Sequence, residues 1–389
     1  MPLWVTIVLD GVGIGAQPDA PAYGDAESHT LGHVLQREQP QLPNLEALGL
    51  GCIAPLDSVP PATQAAASYG KMLEVSAGKD STTGHWELAG LVLDTPFPTY
   101  PQGFPSAVID RFIAVTGCQG ILGNVPASGT AIIAEHGVAH QATGDPIVYT
   151  SADSVFQVAA HVDVVPLERL HAWCQLARDT ICVGPHAVGR VIARPFEGEL
   201  GAYQRISAQR KDYSLAPPSP PVQSVLQSAG VTTVAVGKIA DLFAGVGFDE
   251  SHKTKSNAEG IAATLEQMQR FADGRAFIWT NLVDFDQEYG HRNNPAGFAQ
   301  ALEAFDAAVP NLIAALPADA RLVLTADHGN DPTTPSTDHS REYVPLLVVD
   351  PSEPTGRDLG VRATFADHAA SLATYFGVEY ASAGTAWEG

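Results

Sequence analysis

Three apolar runs in this chain end on aspartate. WVTIVL runs into Asp10, AFIWTNLV into Asp284 and then Asp286, and RLVLTA into Asp327. Runs this short and this rich in Val, Ile and Leu read as strands buried on both faces. A fourth, TTVAVG, ends at Lys238. Between them lie segments with helical spacing, NAEGIAATLEQMQRFADG and GFAQALEAFDAAVPNLIAAL. Strand alternating with helix implies an α/β fold, a mostly parallel sheet sandwiched by helices. Ligands of such sheets gather at the carboxyl ends of the strands. The aspartates at 10, 286 and 327 are therefore expected on one edge, however far apart they stand in the chain.

Two proline-rich stretches interrupt the pattern, DTPFPTYPQGFP at 94–105 and PPSPP at 217–221. The piece between them has its own strand signals, PIVYTSA and GRVIARP, and a helical one, PLERLHAWCQLARD. This reads as a smaller α/β domain, 94–217, inserted into a core formed by 1–93 and 218–389. The four cysteines form no CxxC pair, which indicates neither a thiolate zinc site nor a disulfide framework. The first apolar run is too short to span a bilayer and carries no basic leader, so a cytoplasmic protein is expected. A net charge of -22 argues against a nucleic-acid or anionic membrane partner. It leaves room for a small phosphorylated substrate and suits a protein that gathers divalent cations.

The strand-end groups are the first candidates for chemistry. Asp10, Asp286, His291, Asp327, His328 and His339 offer carboxylate oxygen and imidazole nitrogen, donors that suit zinc, manganese or iron(II). Asp286 and His291 stand five apart across DQEYGH, a spacing that a tight turn can fold onto one ion. Asp327 and His328 are adjacent after a strand, and a Gly-Asn-Asp-Pro-Thr loop can return His339 to them. Any one of these alone is more often a helix cap, a turn former or a satisfied surface group. Together on one edge they would repel one another unless cations neutralised them, and two ions roughly 4 Å apart would do so. Asp284, Asp331 and Asp338 read as turn formers or as partners that orient a histidine. DGVGIGA after the first strand imitates a dinucleotide turn but lacks its full spacing, so its glycines read as room for close backbone approach.

A nucleophile is available in GKDSTTGHWELAGL, where Ser81, Thr82 and Thr83 precede a helical pattern. A hydroxyl at a helix start is ordinarily an N-cap. Held against a metal at an anion-attracting helix terminus, it can instead attack phosphorus. Positive charge for a phosphate is concentrated at Arg190, Arg194, Arg205, Arg210 and Lys211, a basic wall on the inserted piece, with Lys238 on the core.

These residues resemble the two-metal site of the alkaline phosphatase superfamily. The longer motifs DGVGIGAQPDA, GKDSTTGHWE, PASGT, IVYTSADSVFQVAAH, VGRVIARPF, NLVDFDQEYGHR and TADHGNDPTTPSTDHSREYVPLL narrow the resemblance to the prokaryotic phosphopentomutases, over essentially the whole chain. The resemblance implies an alkaline-phosphatase-like core with an inserted cap, and two Mn²⁺ ions. One ion would be held by Asp10, Asp327 and His328, the other by Asp286, His291 and His339. It makes Ser81 the phosphorylated residue, where many of the family carry threonine. It places Ser151, Asp153, Arg190, Ile192, Arg205 and Lys238 around the sugar phosphate. The reaction implied is interconversion of ribose 1-phosphate and ribose 5-phosphate, and of the 2-deoxy forms, by a monomer primed with glucose 1,6-bisphosphate or ribose 1,5-bisphosphate. A sugar-phosphate phosphatase of the same superfamily is the alternative.

Overall fold

The computed structural model describes residues 2–151 and 153–387. The chain divides into two compact units, Met1–Pro96 with Pro217–Gly389, and Phe97–Ala216. The first unit begins with strands β1 (Leu3–Leu9) and β2 (Ser68–Met72). The second holds β3 (Leu122–Pro126), β4 (Ile147–Thr150), β5 (Val155–His161), β6 (Arg190–Glu197), β7 (Gln204–Arg205) and β8 (Lys211–Ser214). The first unit then resumes with β9 (Thr232–Val236), β10 (Glu250–His252), β11 (Ala276–Leu282), β12 (Arg321–Thr325), β13 (Val344–Val349) and β14 (Asp358–Arg362).

The first unit's sheet has the order β10-β9-β11-β1-β12-β13-β2-β14. Only β13 runs against the rest, antiparallel to both β12 and β2. Its neighbours in the middle are level: Leu9 pairs with Leu282, and Val8 with Thr325. The chain therefore leaves β1, β11 and β12 at one height, and the aspartates that follow share one edge. Because β13 is reversed, the residues entering it, His339 to Tyr343, arrive at that same edge. The long apolar runs are explained by burial on both faces. Every residue of β1 and of β11 is buried, and each large apolar side chain so covered contributes roughly 1.5–3 kcal/mol.

A buried polar chain crosses this core. The Trp4 indole donates to Thr6 Oγ1 at 2.9 Å, Thr6 in turn donates to His368 Nε2 at 2.8 Å, and His368 Nδ1 donates to the Leu88 carbonyl at 2.9 Å. That donor order accommodates only the neutral imidazole, and burial holds the His368 pKa down to about 4.

The second unit's sheet has the order β3-β4-β5-β6-β7, with β8 also paired to β6. Its side chains alternate between two apolar clusters. Val148, Phe156, Val158 and Ala160 join Phe112, Leu170 and Trp173 on one face. Ile147, Tyr149 and Ala159 join Ile132 and Ile133 on the other. Helices Ser106–Thr116 and Leu167–Leu176 thus cover one face and Gly129–Thr143 covers the other. The helix 106–116, the strand 122–126 and the helix 129–143 gave no separate signal in the sequence. Among the described residues, no helix is long and apolar enough to cross a membrane.

The His368 chain makes a pH prediction. Its folded pKa lies below the unfolded value, so the unfolded state takes up a proton first as pH falls. Stability from this group is complete above about pH 6.5 and drains away towards pH 4. Between pH 7 and pH 5 the loss is about 2 kcal/mol. Urea titrations at the two pH values should give a difference smaller by about that amount in His368→Gln than in the parent.

Candidate metal centre and nucleophile

The edge residues assemble within the first unit. Asp10, Asp327 and His328 are wholly buried, and Asp286 is 6% exposed. After β11 the backbone makes a π-helical turn over Phe285–Gly290, closed by a His291 N–H donation to the Asp286 carbonyl at 3.0 Å. A five-residue closure of this kind sets residues i and i+5 on one side. His291 Nε2 accordingly lies 3.3 Å from Asp286 Oδ2. The loop from 329 to 340 is pinched shut by mutual backbone bonds between Gly329 and Ser340 at 3.1 and 2.7 Å. It returns His339 so that its Nε2 lies 3.2 Å from Asp286 Oδ1 and 3.2 Å from His291 Nε2.

Two groupings can each hold a cation: Asp286 with His291 and His339, and Asp10 with Asp286 and His328, the ligand atoms of each lying within 4.8 Å of one another. Asp286 belongs to both. Asp327 stands against the second grouping, its Oδ2 3.2 Å from His328 Nε2, while its Oδ1 accepts from Gly11 N at 3.1 Å.

The donor set fits divalent ions on two further counts. Asp10 Oδ1 and Asp327 Oδ2 are buried with only imidazole nitrogens beside them, at 3.4 Å for the first and 3.1–3.2 Å for the second, an arrangement that is costly unless positive charge stands there. His291 Nδ1 bonds the Thr337 carbonyl at 2.7 Å and His328 Nδ1 bonds that of Gly329 at 3.1 Å. Each carbonyl fixes the tautomer that turns the Nε2 lone pair into the cluster.

The electrostatics express the same demand for positive charge. Burial pushes the Asp10 carboxyl above its ordinary range, and the neighbouring Asp327 charge adds to the effect. Burial also opposes charge on Asp286 and Asp327, yet the surrounding imidazoles hold both well below that range. Burial opposes protonation of His328 and His291, but Asp327 lifts the first to about 10 and Asp286 the second to about 9, so each Nε2 carries a proton until a cation displaces it and takes the lone pair.

The nucleophile segment is built on the same edge. Asp80 caps the helix Ser81–Leu88, accepting from Thr82 N at 3.0 Å and Thr83 N at 3.1 Å, and from the Thr83 hydroxyl at 2.5 Å. With the cap supplied by Asp80, the Ser81 hydroxyl is left to face the cluster. It lies 3.1 Å from His328 Nε2 and 3.0 Å from Lys238 Nζ. Lys238 also pairs with Asp10. Burial works against its charge, but Asp10, Asp286 and Asp327 keep the ammonium protonated. The helix can approach this closely only because residue 84 is glycine, since a Cβ there would lie 2.0 Å from the Asp327 carbonyl oxygen. Gly11 and Gly13 serve the first strand in the same way, abutting Asn330 and Glu342.

Some contributors carried no signal in the sequence. Asn330 donates to Asp286 Oδ1 at 2.7 Å. Buried Glu342 accepts from Gly15 N, Thr30 N and the Ser340 hydroxyl at 2.8–3.0 Å, tying three loops together. His85 was within reach of helical spacing, four residues after Ser81. Its Nδ1 lies 2.8 Å from the Ser81 carbonyl and 3.1 Å from Asp327 Oδ2.

In the second unit, Ser151, Asp153, Arg190 and Ile192 line one cavity of about 190 Å³, together with Arg194 and Arg210. Arg205 lines a separate cavity beside Tyr203 and Thr130. Asp212 restrains part of this charge, taking Arg210 in a two-pronged pair at 2.7 and 2.6 Å.

Residues 3–380 match the model of the Metalloenzyme superfamily. The chain is 54% identical to the phosphopentomutase of Caldanaerobacter subterraneus subsp. tengcongensis over 98% of its own length and 96% of that protein's. The chain belongs to the phosphopentomutase family. The Deinococcus radiodurans phosphopentomutase is 52% identical over 98% of this chain and 97% of its own, and that of Herpetosiphon aurantiacus 50% over 98% and 97%. Metalloenzyme membership and the two acid-histidine groupings agree on a divalent metal cofactor.

Since Asp286 joins both groupings, Asp286→Asn should remove more of the metal-dependent stabilisation than His291→Ala. Manganese at a hundredfold over its Kd should stabilise the parent by about 2.7 kcal/mol per site. Melting curves with and without manganese measure both effects; equal losses in the two variants would contradict a shared ligand.

Proposed function

We propose that this phosphopentomutase-family chain interconverts ribose 1-phosphate and ribose 5-phosphate, and the 2-deoxy forms, through a phosphoserine at Ser81. The observation that carries the reading is the Ser81 hydroxyl, 3.1 Å from His328 Nε2 and 3.0 Å from Lys238 Nζ on an edge lined with metal-binding groups.

Asp10, Asp327 and His328 would hold one Mn²⁺, and Asp286, His291 and His339 the other, with Asp286 able to reach both. Bound there, the ions supply charge stabilisation for the phosphoryl group in flight. The protein's own part begins with phospho-Ser81, formed from glucose 1,6-bisphosphate or ribose 1,5-bisphosphate. The free 5-hydroxyl of ribose 1-phosphate takes the phosphoryl group. One P–O bond to serine breaks, one to the sugar forms, and the hydroxyl proton passes to Ser81 Oγ. The product is ribose 1,5-bisphosphate. Its 1-phosphoryl then returns to Ser81, and ribose 5-phosphate leaves with a hydroxyl at C1.

Lys238 neutralises the serine oxygen as it gains charge, a contact that strengthens as the P–O bond breaks. Asp80 caps the helix and keeps its N-terminus directed at the anion. Ser151, Asp153, Arg190, Ile192 and Arg205 are assigned to the sugar phosphate, where arginine offers two-pronged bonds to its oxygens. The enzyme acts on small sugar phosphates as a monomer.

Incubation with glucose 1,6-bisphosphate should add one phosphate to the intact mass, on the peptide containing Ser81. Ser81→Ala should accept none and lose pentose-phosphate isomerisation by at least about 10⁴-fold. Undiminished turnover in that variant would remove Ser81 from the reaction. Steady release of inorganic phosphate from ribose 5-phosphate by the parent would point to a phosphatase instead.

A further inference from the structure

Arg341 stands two residues after His339, is 2% exposed, and has no part in the chemistry above. All five of its N–H groups are engaged. Nη1 donates to the carbonyls of Ser76 and Gly78 at 2.8 and 2.6 Å. Nη2 donates to the carbonyl of Glu74 at 2.7 Å and to Asp19 Oδ2 at 2.9 Å. Nε donates to Asp19 at 3.2 Å. The Glu74 carboxylate lies a further 2.9 Å from Nη1.

The pattern of acceptors is informative. Carbonyls 74, 76 and 78 converge on one guanidinium, so the segment bends around Arg341 rather than running on as a strand. This segment continues β2, whose last pair with β13 is Met72 with Val344. Continued beyond that pair, the antiparallel register sets Arg341 opposite Val75. Backbone pairing has ended there, and the guanidinium takes the carbonyls that no strand partner takes. The Glu87 carboxylate also holds this bend, accepting from Val75 N at 3.0 Å and Ser76 N at 2.6 Å. A second strap runs in parallel: Lys79 Nζ lies 3.0 Å from Asp25 Oδ2, which accepts from the Arg341 backbone N–H at 2.9 Å. Residues 74–79, which lead directly into Asp80 and Ser81, are thus suspended from the residues that follow His339.

We infer that Arg341 is a positioning residue for phosphoryl transfer, fixing the height of the Ser81 backbone against the His328–His339 side of the centre. The inference rests on Ser81 carrying the phosphoryl group. Lysine keeps the charge of Arg341 but offers three donors on a point charge, too few and too compact for three carbonyls and a carboxylate. A misplacement of about 1 Å is enough to cost about 100-fold in rate. The sugar-phosphate contacts assigned above lie elsewhere, so binding is spared.

The test compares the manganese-loaded parent with Arg341→Lys and Arg341→Ala. The readouts are kcat and KM for ribose 5-phosphate and the rate of phosphate incorporation from glucose 1,6-bisphosphate, mapped by peptide. The expected result is a kcat and a phosphorylation rate lowered by about 100-fold with KM unchanged, and partial recovery of kcat in Arg341→Ala on adding guanidinium. Unchanged kcat and phosphorylation in folded variants would overturn the inference, as would KM and kcat falling away together. Variants that do not fold, and that guanidinium does not restore, also overturn it, because Arg341 then supports the core as a whole. Phosphate mapped in the parent to a peptide without Ser81 would sink the underlying reading instead, a result separable from all of these.

Discussion

Three carboxylates, Asp10, Asp286 and Asp327, are buried on one edge of one sheet. Asp10 and Asp286 bring oxygens within 4.8 Å of each other. At the effective dielectric of a protein interior, a like-charged pair at that separation is repelled by roughly 3–4 kcal/mol. Nothing in a sheet of apolar strands offsets this. The surrounding structure reads as a set of devices for delivering positive charge and lone-pair donors to that edge. Strand β13 is reversed so that His339 enters beside strand ends it is remote from in sequence. The turn after β11 is wound to a five-residue closure so that His291 faces back to Asp286. Lys238 leaves the end of β9 to pair with Asp10. What the side chains leave uncompensated is the place for divalent metal.

Charges further out hold this arrangement rigid. Glu342, Glu87 and Arg341 are each at most 2% exposed. A buried charge is expensive unless its hydrogen-bonding capacity is filled, and here it is filled mainly by backbone of loops that lack strand partners. Glu342 takes N–H groups from the loop after β1. Glu87 takes those of 75 and 76, with Thr364 Oγ1 and Phe365 N. Arg341 takes the carbonyls. Loops that must be irregular to present ligands are thereby given fixed hydrogen-bond partners, and fixed partners are what a preorganised site needs.

The parts legible in the sequence are those that follow from hydrophobic pattern. Runs ending at Asp10, Asp286, Asp327 and Lys238 mark buried strands because only a strand covered on both faces is apolar throughout. Strand-end placement on one edge then follows from parallel topology. Individual roles beyond that point depend on long-range contacts with no local signature. Glu342 looks like any surface glutamate until Thr30 and Gly15 arrive from the far end of the chain. Gly84 looks like a weak helix residue, although the Asp327 carbonyl occupies the space of its Cβ. The joint membership of Asp286 in both cation groupings is also invisible to spacing, since its five-residue relation to His291 says nothing about Asp10. In the second unit, the pattern gave β6 and the helix 167–176 but missed the helices 106–116 and 129–143, whose short apolar stretches are broken by small and polar residues.

The serine at 81 alters how the nucleophile is held. A threonine at this position carries a methyl group that restricts χ1, so its own side chain helps aim the oxygen. Serine lacks that restriction, and its hydroxyl is directed by what surrounds it: Lys238 Nζ at 3.0 Å and His328 Nε2 at 3.1 Å. Both contacts are short-range, so the orientation of Oγ is only as well defined as the position of the Ser81 backbone. That position is fixed from three sides: by Asp80 capping the helix, by Gly84 seated on the Asp327 carbonyl, and by the straps from Arg341 and Lys79 to the segment behind it. With a side chain less able to aim itself, precision in the proposed transfer is shifted to the backbone and its buried supports.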